Sequence, residues 1–357
     1  MITQNKGEWS ELYVFLKLLS EGVLYGADSD LNKIDDLYYP LIKIIRTENE
    51  QTKHYVKEVS NISIVTESGE QILSLPVTEF TAKADLLLNA IKEANTSSFS
   101  VPVIESFMQT IKCTKVKADS KDKTDITIVL HDRQTQRDDT FGFSIKSRLG
   151  SASTLLNAGK NTNFIYKVSG LNNEQVERIN NINTTSKVKD RLSQIKEMGS
   201  LKYVGMVNDV FESNLQMVDT QFPIIVAELL KLYYSGAGNS IKDLTTKLQD
   251  INPCKLNTAL AQKFYEHKVK TFLTDIALGM TPATAWSGNF QATGGYIIVK
   301  ESGEVLCYHI YNHNEFQEYL FRNTKFDTPS SSRHNFGSIY LKNDEYYFNL
   351  NVQIRFI

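Results

Sequence analysis

The sequence predicts an α/β fold: a mixed sheet flanked by helices, with a C-terminal region of further helices and strands. Three patterns carry that expectation. Leu12, Phe15, Leu16 and Leu19 recur at helical spacing near the start. In the middle, Ile126, Ile128 and Leu130 alternate with Thr127 and Val129, while Phe141, Phe143 and Ile145 alternate with Gly142, Ser144 and Lys146, the two-residue period of a hairpin. After Gly279, short runs rich in Val, Ile and Tyr replace the helical pattern. Helices and strands so mixed point to an α/β core plus a C-terminal sheet region.

Taken in order, residues 1–25 read as a helix. Residues 36–65 suggest strand and helix fragments, with a turn at 67–70. Residues 81–94 form a helix through Leu86, Leu87, Ala90 and Ile91, and 101–111 a shorter one leading to strands between 116 and 147. The hairpin strands are 125–130 and 141–147, joined by the polar loop 131–140, and Lys146 falls on the face opposite Phe141, Phe143 and Ile145. Residues 148–160 break the strand pattern with small polar residues, and 163–168 resume it. Residues 172–198, rich in Asn, Lys and Glu, read as solvated helices or a hinge. Helices are expected at 223–234 and 256–278, then strands at 296–300, 305–310, 338–341, 346–350 and 353–356. The expected division is 1–175 and 176–357.

The chain has 357 residues, 41 % of them hydrophobic, ample for a sizeable core. Cys113, Cys254 and Cys307 are odd in number and widely spaced, so neither a disulfide framework nor a zinc site is expected and a reducing cytoplasm is the simplest context. No apolar run reaches membrane length, and the N-terminus does not read as a signal peptide. The net charge of −2 does not exclude a nucleic-acid partner, because local patches set the field over one face. Lys112, Lys115, Lys117, Lys121 and Lys123 crowd the approach to Asp125, and Lys146, Arg148, Lys160 and Lys167 follow it. His309 and His313 have no cluster around them, so a nucleophilic or zinc role is not expected.

Asp125 on one strand and Lys146 on the next carry the chemistry. A carboxylate holds a hard divalent cation through oxygen, and an ammonium beside it orients or activates water and offsets charge in the transition state. This is the skeleton of the PD-(D/E)xK nuclease site. Ser144 stands two before Lys146, where that skeleton usually has Glu or Asp, so a second acid is expected from elsewhere. Lys6-Gly-Glu-Trp-Ser-Glu11 offers Glu8 and Glu11, three apart on one helix. The form Lys-Gly-x-x-x-Glu resembles the opening of archaeal Holliday-junction resolvases and many restriction enzymes, which aligns Glu11 with their metal-site acid and leaves Glu8 as competitor. The plain alternatives are a solvated hairpin and two acids that complement the helix dipole.

Four segments together resemble the HpaII family of type II restriction endonucleases. They are Lys6-Gly-Glu-Trp-Ser-Glu-Leu-Tyr13, Phe141-Gly-Phe-Ser-Ile-Lys-Ser-Arg-Leu-Gly-Ser-Ala-Ser-Thr-Leu-Leu-Asn157, the pair Gly294-Gly-Tyr-Ile-Ile-Val-Lys300 and Val305-Leu-Cys-Tyr-His-Ile-Tyr-Asn312, and Leu350-Asn-Val-Gln-Ile-Arg-Phe356. The resemblance spans nearly the whole chain. It implies a Mg²⁺-dependent enzyme of the bacterial or archaeal cytoplasm that cuts double-stranded DNA, with a CCGG-type palindrome as first expectation and 5′-phosphate ends. Glu11 and Asp125 are then the metal ligands, with the Ile145 carbonyl as a further oxygen, and Lys146 activates water. Residues 1–175 become the catalytic core and 176–357 the region for recognition and dimerisation. A palindromic target implies a homodimer on DNA, and a DNA methyltransferase is expected as genetic neighbour.

Arginine reads guanine through two parallel bonds. The preferred reader is therefore the loop Thr328-Pro-Ser-Ser-Ser-Arg-His-Asn335, with Ser331, Arg333 and His334; Arg148 is the second candidate, and Gln353 and Arg355 share the polar face of the last strand. Ser151, Ser153, Asn157 and Lys160 suit the phosphate backbone. A structure-selective nuclease or resolvase, and a DNA-binding module without catalysis, remain as the other two readings.

Overall fold

Asn5 and Glu8 begin the first helix by exchanging side-chain and backbone hydrogen bonds, and Gly22 ends it in the left-handed conformation, its N–H bonded to the Leu18 carbonyl. A computed structural model describes residues 2–117, 123–133 and 135–357. The helix is α1 (Lys6–Glu21). It is followed by β1 (Val23–Ala27), β2 (Lys33–Glu48), β3 (Gln51–Lys57), β4 (Asn61–Thr66), β5 (Gln71–Pro76), α2 (Val77–Glu93), α3 (Pro102–Thr110), β6 (Ile126–Asp132) and β7 (Arg137–Ser147). Next come β8 (Thr154–Leu156), β9 (Asn163–Ser169), α4 (Asn173–Asn180), α5 (Lys187–Met198), β10 (Ser200–Met206), α6 (Asp209–Val218), α7 (Phe222–Tyr234), α8 (Ile241–Ile251) and α9 (Phe264–Leu278). The last stretch holds β11 (Gly295–Val299), β12 (Val305–His309), α10 (His313–Arg322), β13 (Thr324–Phe326), α11 (Ser331–His334), β14 (Ile339–Lys342), β15 (Glu345–Asn351) and β16 (Ile354–Phe356).

The chain is α/β and divides into two compact units, Met1–Ser153 with Phe290–Tyr319 and Thr154–Asn289 with Leu320–Ile357. Both are discontinuous, whereas the sequence reading drew one boundary at 175. The cause is β11 and β12: β11 lies parallel to β7 and antiparallel to β12, and β12 lies parallel to β1. Distant chain is thereby drawn into the first unit.

In that unit the strand order is β1-β12-β11-β7-β6-β2-β3-β4-β5. Because β1 also pairs with β2, the first six close into a ring, and β3, β4 and β5 extend it as an antiparallel meander. α1 buries Trp9, Leu12, Phe15, Leu16 and Leu19 in a core shared with Ile44, Tyr55, Phe80, Leu87, Ile128 and Phe143. β7 sits inside the ring between β6 and β11, and from Phe141 to Ile145 it is buried on both faces.

The second unit holds an antiparallel sheet of order β10-β9-β15-β14 and a small one of order β13-β16-β8. α4–α9 belong to it. Arg191 of α5 is buried and spends its guanidinium on the carbonyls of Asn180, Ile182 and Gly337, a structural arginine.

Several expectations shift. The first helix stops at Glu21 because Gly22 turns the chain, and β1 begins at Val23. Residues 36–65 contain strands alone: Asn49 and Glu50, with φ of 52° and 64°, make the two-residue turn that suits a β2–β3 hairpin. The β6–β7 register runs to Asp132↔Arg137, so the connection is shorter than 131–140. Asn252, left-handed, binds both the N–H and the carbonyl of Leu256 through its side chain, and α9 starts only at Phe264. Among the described residues no helix is long and apolar enough to cross a membrane.

Candidate active site

Three elements of the first unit converge. α1 brings Glu11, the residue before β6 is Asp125, and β7 brings Ser144, Ile145 and Lys146. Asp125 is held firmly: its backbone N–H donates to the Phe143 carbonyl at 2.8 Å. Its Oδ2 accepts from the Ile145 amide at 2.8 Å and from the Ser144 hydroxyl at 3.1 Å. Ser144 therefore acts as a donor that orients Asp125. Register accounts for this, since Ile126 pairs with Phe143 and puts Asp125 beside the following residues of β7.

Glu11 lies across from Asp125, and one ammonium, that of Lys117, contacts both: 3.4 Å to Glu11 Oε1 and 3.1 Å to Asp125 Oδ1. The other oxygen of Glu11, Oε2, is buried and has no hydrogen-bond partner among the described residues. Burial and the neighbouring charge of Asp125 push the Glu11 carboxyl up to about 7, and Lys117 only partly opposes them. Glu8 is elsewhere employed. Its Oε2 accepts the Asn5 N–H at 3.0 Å, closing the helix cap.

Lys146 is half-buried, its ammonium 5.4 Å from the centre of the Tyr296 ring. Burial lowers its pKa, against the pull of Asp125 and Glu11. A second lysine, Lys123, is pushed down to about 8 by burial and by Lys146. The Ser10 hydroxyl meets the Ser147 hydroxyl at 2.8 Å and so ties α1 to the end of β7 one residue from Glu11. Glu11, Lys146 and Ser147 open onto a cleft of about 870 Å³ whose wall includes Asn5, Lys6, 94–97, Gly150, Ser151 and Ser153.

The donor set suits a hard cation. Among the described residues no three His, Cys, Asp or Glu side chains gather to hold a metal ion. Mg²⁺ is nevertheless commonly held by one or two carboxylates, completed by water and substrate phosphate. Two carboxylates bridged by the Lys117 ammonium, one with a buried oxygen that meets no donor among the described residues, fit that demand.

The other predicted residues are scattered. Ser151 and Ser153 line the cleft with Glu11 and Lys146. Arg148 donates to the Tyr319 hydroxyl at 3.4 Å. In the second unit Asn157 and Lys160 are exposed, and Lys167 pairs with Glu345. Ser331, Arg333 and His334 form the short α11, started by the Ser330 hydroxyl. Arg355 is 3.0 Å from Asp327, and Gln353 accepts the Asp327 N–H through its carbonyl at 3.1 Å. Lys121 lies outside the described residues. His309 is fully buried, stacked on Tyr39 with 4.7 Å between ring centres.

Sequence reasoning missed Tyr296, the 94–97 wall and the bridging position of Lys117. Tyr296 is paired with Ser144 across a parallel ladder, a contact that no local pattern announces. Lys117 was visible only as one of a run of lysines.

The family model described as HpaII restriction endonuclease matches residues 5–356. The chain is 45 % identical over 355 residues to the type II restriction enzyme HpaII of Haemophilus parainfluenzae, covering 99 % of this chain and 98 % of that one. No solved structure matches. A match over almost the entire length, on a chain whose first helix and central hairpin bring two acids and a lysine together, places the protein: it belongs to the HpaII restriction endonuclease family of type II site-specific deoxyribonucleases.

Proposed function

We propose that the protein cleaves double-stranded DNA at a short palindrome, CCGG-type as the first sequence to try, by Mg²⁺-dependent hydrolysis of a PD-(D/E)xK kind that leaves 5′-phosphate ends. The observation that supports it most is the meeting of Glu11 and Asp125 at the Lys117 ammonium, with Glu11 and Lys146 lining one cleft. Glu11 and Asp125 would hold Mg²⁺, with the Ile145 carbonyl as a further oxygen ligand. When bound, the cation supplies polarisation of a phosphoryl oxygen and lowers the pKa of water. Ser144 and the Ile145 amide keep Asp125 from turning away. Lys146, which burial makes easier to deprotonate, orients the attacking water as the ammonium or, once it is the neutral amine, accepts the water's proton on Nζ.

The first unit supplies the chemistry in this reading, and the second contributes to recognition and dimerisation. Ser151, Ser153, Asn157 and Lys160 contact phosphates; Arg148, Ser331, Arg333, His334, Gln353 and Arg355 are the candidate readers. The duplex is met by a homodimer, in the cytoplasm of a cell that carries a protecting methyltransferase. Incubation with plasmid DNA and Mg²⁺, followed by sequencing of the ends, tests the proposal. Discrete fragments with 5′-phosphate ends at one palindrome support it; cutting confined to branched DNA, or binding without cutting, overturns it.

A further inference from the structure

The four carboxylate oxygens of Glu11 and Asp125 are used unequally. Asp125 Oδ2 takes two donors from β7, and Glu11 Oε2 has none among the described residues. Glu11 Oε1 and Asp125 Oδ1 both face one group, the ammonium of Lys117. Lys117 reaches them from outside, with 48 % of its side chain exposed against 14 % for each acid. Lys146, by contrast, is withdrawn over the Tyr296 ring. The lysine between the acids is thus the more exposed of the two, and it covers one oxygen of each acid.

We propose that Lys117 is an internal stand-in for the divalent cation, an ammonium that occupies the position between Glu11 and Asp125 and must leave before both acids can hold the metal. This rests on the carboxylate site described above. The charges make the exchange physical: two carboxylates with one ammonium keep a residual negative charge, and a divalent ion in its place removes it. Without the cation, Lys117 holds together two acids that would otherwise repel. With it, the cost of displacing Lys117 is subtracted from the binding free energy. Lys117 therefore lowers cation affinity while steadying the empty site.

Mn²⁺ alone, without DNA, reads this out through the loss of its free-ion paramagnetic resonance signal. Wild type, Lys117→Met, Lys117→Arg, Lys6→Met and Glu11→Gln are compared at one ionic strength, each checked for folding by circular dichroism. Lys6 lines the same cleft and reports the general effect of removing a positive charge. The expected result is Mn²⁺ affinity raised by about tenfold or more in Lys117→Met, wild-type or weaker affinity in Lys117→Arg, a gain of no more than roughly threefold in Lys6→Met, and loss in Glu11→Gln. Unchanged or weaker affinity in Lys117→Met, or equal gains in Lys117→Met and Lys6→Met, overturns the stand-in while the carboxylate site survives. Wild-type affinity in Glu11→Gln overturns the carboxylate site itself.

Discussion

Glu8 and Glu11 stand three residues apart on one helix and are used differently. Glu8 answers the Asn5 N–H at the helix start, whereas Glu11 faces Asp125 through Lys117. Glu11→Gln is expected to lower the cleavage rate by about 10²-fold or more with duplex binding retained. Glu8→Ala is expected to cut at the wild-type rate and to lose about 0.5–1 kcal/mol of folding stability. Parallel rate and denaturation measurements check both, and swapped outcomes would reverse the assignment. His309 makes a pH prediction. It is buried against Tyr39 and Phe141, accepts the Tyr311 N–H at Nδ1, and has no partner for Nε2 among the described residues. Burial pushes it down to about 4. The unfolded chain therefore takes a proton below its ordinary value near 6.5 that the folded chain refuses. Stability from this group is complete above that value and is lost as pH falls toward 4, at up to about 1.4 kcal/mol per pH unit. Denaturation at pH 7 and pH 5 should show a smaller loss for His309→Asn, which keeps an acceptor near the Nδ1 position; equal losses would exclude His309 as the cause.

At the scale of elements, the site depends on how β7 is flanked. Gly295 opens β11 with a φ of 103°, and a Cβ there would stand 2.1 Å from the Tyr308 carbonyl oxygen. Gly295→Ala is expected to cost roughly 2–3 kcal/mol or more, seen as a lower denaturation midpoint; an unchanged midpoint would mean that β11 and β12 can shift at no cost. The same elements show how far the sequence was legible. α1 and the β6–β7 hairpin were readable because a helical stripe and a strict alternation sit within short windows, and they carry Glu11, Asp125 and Lys146. Residues 36–65 misled because apolar residues there serve strands that bend and pair on both sides, which blurs the period. The stretch 256–263 looked helical from its composition, yet Asn252 ties the chain back on itself there. The parallel pairing of β11 with β7, and with it Tyr296 against Lys146, joins segments about 150 residues apart. Such contacts leave no local signal.

Across the whole molecule, the two units are each built from separated stretches of chain, so neither can be cut out at residue 175 intact. The palindromic target proposed for the enzyme requires two such molecules related by a two-fold axis. Sedimentation with a duplex carrying the cleaved palindrome and Ca²⁺ in place of Mg²⁺ should give two chains per duplex, and one chain per duplex would contradict the symmetric arrangement. Cleavage by this site turns on whether Lys146 acts at the scissile phosphate. The most direct measurement is the single-turnover cleavage rate of Lys146→Ala on a duplex to which it still binds. The expected result is a loss of about 10²–10³-fold or more with affinity little changed; cleavage at the wild-type rate would contradict the proposed site.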